Sequence, residues 1–159
     1  MDSPFFDRNR EEDDFQIRID RTGQWFHANK PIAREKLTQL FSTALHYDSQ
    51  KDEYWLITPH EQGRIIVEDV PYIIIDFEWS NDLVLRTNLD HQIKPTMDNP
   101  LYCKGGLPYC VVQNHVLARL NRQVREKLID IALSQNGYNE NDKTLTLKAN
   151  GHDHIIACS

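Results

Sequence analysis

Phe15-Gln16-Ile17-Arg18-Ile19-Asp20 alternates apolar and polar side chains, the period of a strand with one buried face. Arg21-Thr22-Gly23 supplies turn chemistry, and Trp25 and His27 resume the alternation, so this segment predicts a hairpin with both side chains on one face. The period then changes. Pro31 suits a first helical turn, and Leu37, Leu40, Phe41, Ala44 and Leu45 recur at spacings of three and four through to His46, which predicts a helix with those residues on the core. EYWLIT follows as a strand. In GRIIVEDVPYIIIDFEW, residues 63–79, Ile65 and Val67 alternate before Glu68-Asp69, and Ile73, Ile75, Phe77 and Trp79 alternate after Pro71. A proline inside a central strand would lose a ladder hydrogen bond, so Glu68 to Pro71 predicts a connection between two strands.

Further along, residues 82–88 and 91–95 predict a strand pair, and PYCVVQ (108–113) another strand. A long helix is expected from a cap at Asn114, burying Leu117, Leu120, Val124, Leu128 and Ile131, and stopping at Asn136-Gly137, where glycine permits a left-handed terminus. TLTLKA and HIIAC close the chain as short strands. At the other end, residues 2–14 are dominated by Asp, Glu, Arg and Asn with only Phe5 and Phe6 to bury, which predicts a disordered or loosely docked acidic arm over 1–14.

A repeat organises the remainder. Arg34-Glu35-Lys36-Leu37 and Arg125-Glu126-Lys127-Leu128 are identical at an offset of 91, where Tyr47 also meets Tyr138 and Leu56 meets Leu147. Helix, polar turn and strand follow in the same order in both windows. The expectation is an α+β fold made of two related strand-strand-helix-strand repeats packed together, 15–80 and 81–159, with GRIIVEDVPYIIIDFEW as the seam and a ligand cleft there.

Composition narrows the partners. The 159 residues, 40% apolar, suffice for a core, and 24 acidic against 18 basic side chains give a net charge of −6, which repels nucleic-acid polymers. MDSPFFDRNREEDD has no basic start followed by an apolar run, and no segment reaches membrane-spanning length, so a cytoplasmic, bacterial-type protein without membrane partners is expected. Cys103, Cys110 and Cys158 are odd in number and irregularly spaced, which argues for thiols rather than a disulfide framework.

Candidate chemistry comes from few residues. Glu68 and Asp69 read either as a solvated turn before Pro71, the commoner role, or as an acid pair with one raised pKa. His115, Arg119 and Arg122, at spacings of four and three on the expected helix, would share one edge. Two arginines there would hold a phosphate through charge-assisted hydrogen bonds, giving about micromolar to millimolar affinity for a small phosphorylated molecule. Trp25, His27 and Tyr109 could stack on and bond a base. Lys104-Gly105-Gly106 reads as a turn. The six-residue gap between Cys103 and Cys110 does not match zinc knuckles, His152, His154 and Cys158 sit near a terminus, and no metal or cofactor is expected. Nor does the chain hold a nucleophile elbow, Walker loop, dinucleotide fingerprint or zinc-protease pattern.

Five segments together resemble the bacterial domain-of-unknown-function family 1285: GQWFH (23–27), the helix start Ile32-Ala33-Arg34, LITPHEQGRIIVEDVPY (56–72), LRTNLDHQI (85–93) and PYCVVQNHVLARLNRQV (108–124). The resemblance runs from Phe15 to Leu147. It implies a duplicated α+β core, a second half similar to pleckstrin-homology folds, a ligand site between halves, a nucleotide-based ligand and a signalling role. The matching positions near that site are Trp25, His27, Glu68, Asp69, Arg86, Asn88, Tyr109 and Arg119, and the basic stripe adds Arg122. Gln113 stands where the family carries arginine, so no basic contact is carried over there. The leading expectation is a sensor or binding protein for a nucleotide-like ligand, with Arg86, Arg119 and Arg122 on phosphate, Trp25 or Tyr109 on the base, and Asn88 or Asp69 on its polar edges. No residue is assigned a catalytic role in it. The alternatives are a hydrolase or transferase using His27 with Glu68 or Asp69, and a protein-interaction module.

Overall fold

The computed structural model describes Asp7, residues 9–113 and residues 115–158. The expected cap Asn114 and the apolar pair Phe5 and Phe6 lie outside the described residues. The chain forms an α+β protein, mostly strands with two helices. It divides into two compact units, Met1–Pro71 with Gln113–Val116, and Tyr72–Val112 with Leu117–Ser159.

The first unit runs β1 (Glu11–Glu12), β2 (Ile17–Ile19), β3 (Trp25–His27), β4 (Lys30–Pro31), α1 (Glu35–Ser42), β5 (Leu45–Asp48), β6 (Glu53–Ile57) and β7 (Glu61–Val67). Its seven-stranded sheet has the order β4-β3-β2-β7-β6-β5, with β1 paired to β7. Ile17 lies opposite His27 and Ile19 opposite Trp25, as the alternation predicts. Ile17, Ile19, Trp25, Leu45, Leu56 and Ile65 are buried, while Ile66, between Ile65 and Val67, is 65% exposed, so this sheet has one dry face. The β3–β4 turn is Ala28-Asn29 with φ of 49° and 67°, two left-handed residues whose twist suits a tight hairpin. The acidic segment is held by specific bonds: Glu11 pairs with Glu61, Arg10 Nε donates to the Thr58 carbonyl at 2.9 Å, and buried Gln62 exchanges two bonds with the Asp7 backbone. Gly63 permits this docking, because a Cβ there would strike the Asp13 carbonyl and the Phe15 ring.

The helix α1 presents a different side from the one predicted. Leu37 and Leu40 are exposed, whereas Thr38 and Ser42 are buried, their hydroxyls donating to the carbonyls of Glu35 and Gln39. The helix ends at Ser42, so Ala44 and Leu45 fall outside it. Leu45 instead reaches the core from β5, opposite Leu56.

The second unit contains β8 (Tyr72–Trp79), β9 (Leu83–Thr87), β10 (Gln92–Ile93), β11 (Tyr102–Lys104), β12 (Leu107–Gln113), β13 (Val116–Leu120), α2 (Arg122–Ser134), β14 (Tyr138–Asn139), β15 (Thr144–Ala149) and β16 (His152–Cys158). Gln113 and Val116, which end β12 and begin β13, cluster with the first unit. A six-stranded sheet has the order β10-β9-β8-β13-β12-β11, and a three-stranded one the order β14-β15-β16. Residues 68–71 do connect two strands, β7 and β8.

The long helix is corrected at its start. Val116 to Leu120 form a strand parallel to β8 with Val116, Leu117, Ala118 and Leu120 buried, and the helix begins after Asn121, whose side chain accepts from the Val124 amide at 2.9 Å. Two asparagines could cap, and the run VLARL fits either a buried strand or a helix by its apolar content alone. Pairing on both sides within the sheet decides for strand. At the other end the left-handed residue is Asn136, with φ of 57°. Gly137 is needed for close approach instead, since a Cβ would meet the Thr146 carbonyl oxygen.

The cysteines are corrected too. Cys103 and Cys158 are joined in a disulfide, and Cys110 is a buried free thiol, because β11 and the end of β16 lie side by side, a pairing across 55 residues that spacing does not reveal. Among the described residues no helix is long and apolar enough to cross a membrane.

Candidate functional site

Because α1 turns its leucines outward, the first unit carries a groove of about 510 Å³ lined by His27, Ala28, Lys30, Pro31, Ile32, Leu37 and Phe41. The β3–β4 hairpin supplies the polar edge and α1 the apolar floor. Phe41 is half-buried, and its ring stacks on that of Trp25 at 6.4 Å between centroids and 21° between planes. Neither His27 nor Lys30 has a carboxylate partner among the described residues. The groove therefore joins apolar surface and an aromatic ring to two groups able to donate to an anion.

Of the residues singled out from sequence, Trp25, His27, Glu68 and Asp69 belong to the first unit. Trp25 is 1% exposed, so the ring available to a ligand is that of Phe41 in front of it. The Trp25 Nε1 has no hydrogen-bond partner among the described residues. His27 is exposed at the groove. Glu68 is committed elsewhere: its carboxylate accepts from Arg18 at 3.2 Å and from the Arg21 amide at 2.9 Å, and its own amide donates to the Ile19 carbonyl. Glu68 and His27 sit on opposite sides of β2 and are offset along it, which by strand spacing separates their backbones by roughly 14 Å. His27 and Glu68 therefore do not meet as an acid-base pair. Glu68 closes a turn and anchors Arg18, whose guanidinium also lies 4.2 Å from the centroid of the Phe26 ring.

Arg86, Asn88, Tyr109, Arg119 and Arg122 belong to the second unit. The basic stripe does not form. His115 has φ of 63°, Arg119 lies on β13 opposite Ile73, and Arg122 opens α2, bonded to Glu126 at 2.9 Å. The bond to Glu126 raises the Arg122 pKa. Arg86 contacts Asp76 at 3.3 Å and Asp90 at 3.9 Å, and the Phe77 amide, with Arg86 beside it, holds the Asp76 carboxyl below the usual range. Arg86 and Asp76 border a recess of only about 30 Å³ that Glu78 also lines, too acidic and too small for a phosphate. Asn88 accepts from the Ile73 amide at 3.1 Å, a structural bond. Tyr109 is buried with its ring stacked on Tyr102 at 6.3 Å.

His154 is held by backbone partners, and Cys158 is bonded to Cys103. His154 is fully buried. Its Nδ1 accepts from the Leu101 amide at 3.0 Å, and its Nε2 lies 3.1 Å from the Ala149 carbonyl, which fixes the neutral tautomer with Nε2 as donor. The groove residues missed from sequence are Ala28, Lys30, Pro31, Ile32, Leu37 and Phe41. Thr38 and Ser42, spaced four apart on a helix, are the signal that its inner face is the small, polar one.

These features define an α+β protein of two units, with a ligand-sized groove in the first. Residues 8–70 match the family model of the DUF1285 N-terminal domain, a domain of unknown function. The chain is similar to the crystal structure of a DUF1285 family protein from Silicibacter pomeroyi, with a TM-score of 0.81 and 25% identity over 94% of this chain and 84% of that one. A DUF1285 family protein from Shewanella baltica is similar with a TM-score of 0.61 and 25% identity over 72% of this chain and 91% of that one. No curated protein matches the chain.

Proposed function

We propose that the protein is a small-molecule binding protein with a sensor role in signalling, taking a nucleotide-like phosphorylated ligand in the groove of its first unit. The observation that carries this reading is the meeting of the Phe41 ring and the Ile32, Leu37 and Pro31 surface with His27 and Lys30 around one space. Its volume falls within the roughly 300–1,000 Å³ of ligand pockets. A planar base would lie on Phe41, its phosphate toward Lys30 and His27, where a charge-assisted bond contributes roughly 1.5–3 kcal/mol. Binding without chemistry fits the distance between His27 and Glu68. The duplication reading, with a pleckstrin-homology-like second half, is supported by element spacing: β7 (Glu61–Val67) and β16 (His152–Cys158) stand 91 positions apart at both ends, each closing a helix and three strands.

Thermal shift with AMP, ADP, ATP, GMP and GTP tests the proposal. A nucleotide at a hundred times its Kd stabilises by about 2.7 kcal/mol, and Lys30→Ala and Phe41→Ala lose that gain while Arg122→Ala keeps it. No stabilisation by any of the five, or a gain lost in Arg122→Ala instead, overturns it.

A second reading, a protein-interaction surface, is favoured by Leu40, 65% exposed beside the groove. Leu40→Glu distinguishes the two. It leaves nucleotide stabilisation intact if the groove serves a small molecule.

A further inference from the structure

We propose that Cys103 and Cys158 are a reversible thiol–disulfide pair, a redox-controlled staple between β11 and the end of β16, rather than a permanent cross-link. The two strands are outer members of their sheets, β11 of the six-stranded and β16 of the three-stranded one, and both belong to the second unit. The bond joins strand margins, not the core. β16 is already secured upstream of it, by its pairing with β15 along its length, by buried His154 bonded to the Leu101 amide just before β11, and by buried Ile156. Opening the disulfide therefore removes the tie of the end of β16 to β11 and leaves Ala157 and Cys158 held only by their pairing with Leu145 and Thr144, without dismantling the fold.

Access and selectivity favour reversibility. Both cysteines are half-buried, and the neighbouring Gly105-Gly106 turn leaves space: a Cβ on Gly105 meets nothing within 4 Å, and one on Gly106 meets only the Cys158 carbonyl at 3.7 Å. An external thiolate reaches such a bond, whereas a sulfur sealed in a core resists exchange. The third cysteine does not interfere. Cys110 is fully buried, and burial pushes its thiol up to about 12, so it remains protonated and does not scramble the pair.

The reaction is two-electron exchange. A thiolate of an external dithiol attacks one sulfur, the protein S–S bond breaks, and the other cysteine leaves as a thiolate. The second thiol of the reductant, once deprotonated, displaces the first cysteine from the mixed disulfide. The protein gains two thiols and the dithiol becomes a cyclic disulfide. In a reducing compartment the pair would rest open and close on oxidation, the usual behaviour of cytosolic disulfides.

The experiment titrates the full-length native protein with mixtures of reduced and oxidised dithiothreitol, quenches with iodoacetamide and reads each cysteine by peptide mass. The expected result is that Cys103 and Cys158 become alkylated together, Cys110 stays unlabelled, and oxidised dithiothreitol restores the bond. In the same samples, amide hydrogen exchange over residues 155–158 rises about ten-fold or more on reduction, and the Cys103→Ser variant shows that faster rate whatever the redox state. Two results overturn the proposal: a bond that opens only when reductant is combined with unfolding urea, or two cysteines that stay labelled in oxidised dithiothreitol. Should Cys103→Ser fail to fold, Cys158→Ser, at the end of the last strand, supplies the same comparison.

Discussion

His154 shows how one buried side chain joins distant backbone. His154→Leu removes the acceptor of the Leu101 amide and a donor to the Ala149 carbonyl in a buried site and costs about 2–5 kcal/mol. Protonation has a related effect, since an Nδ1–H would face the Leu101 N–H. Burial pushes the pKa below its ordinary 6.5, with His152, whose ring is edge-on at 4.9 Å, lowering it further, and the Ala149 carbonyl and Asp153 opposing. Below about pH 6.5 the unfolded chain therefore takes up a proton that the folded chain refuses. Stability falls as pH drops from 6.5 to the folded pKa, and this contribution is flat above 6.5. Urea unfolding at pH 7.5, 6.5 and 5.5 checks this, with His154→Leu expected to have the shallower slope. Gly137 is a second single-residue constraint. Its Cβ would collide with backbone rather than with a movable side chain, so Gly137→Ala destabilises by about 2 kcal/mol or more, read from the midpoint of a urea curve.

At the scale of elements, periodicity located both helices but misjudged the side α1 buries and the residue at which α2 begins. Leu37, Leu40 and Phe41 form an apolar stripe that looks like a core face, yet a helix of only eight residues contributes little burial, and here the small side chains Thr38 and Ser42 are the buried ones. The two leucines that sequence placed together thus have different fates. Leu45→Ala empties a fully buried site and costs about 2–5 kcal/mol, whereas Leu40→Ala stays within about 0.5 kcal/mol. Equal losses in the two variants would restore the predicted helix face. For β13, the apolar run VLARL reveals burial but not conformation. Arg119 consequently moved from a helical edge to a strand, and the phosphate site inferred from the stripe went with it. The alternating strands β2, β9 and β15 were legible because a sheet with one dry face writes its geometry into every second residue, whereas β8 buries Tyr72, Ile73 and Ile74 in succession and exposes Ile75. The disulfide and the Ala28-Asn29 turn were not: the first depends on which strand edges meet, and alanine rarely adopts a positive φ.

For the whole molecule, the boundary between units follows sheet membership rather than the hydrophobic pattern. Sequence periodicity placed the seam through residues 63–79 and the first repeat's end at residue 80, but the units divide after Pro71. β8 explains the difference. It lies between β9 and β13, with Tyr72, Ile73 and Ile74 buried, so both of its hydrogen-bonding edges and its apolar face are satisfied within the second unit. A fragment of residues 1–80 carries this strand without either partner, and an apolar strand with two open edges pairs with other copies. A fragment of residues 1–71 lacks that liability. Light scattering after size-exclusion chromatography is expected to find residues 1–80 aggregated and residues 1–71 predominantly monomeric at the same concentration. The reverse ranking would return the boundary to residue 80 and make β8 part of the first unit's own core.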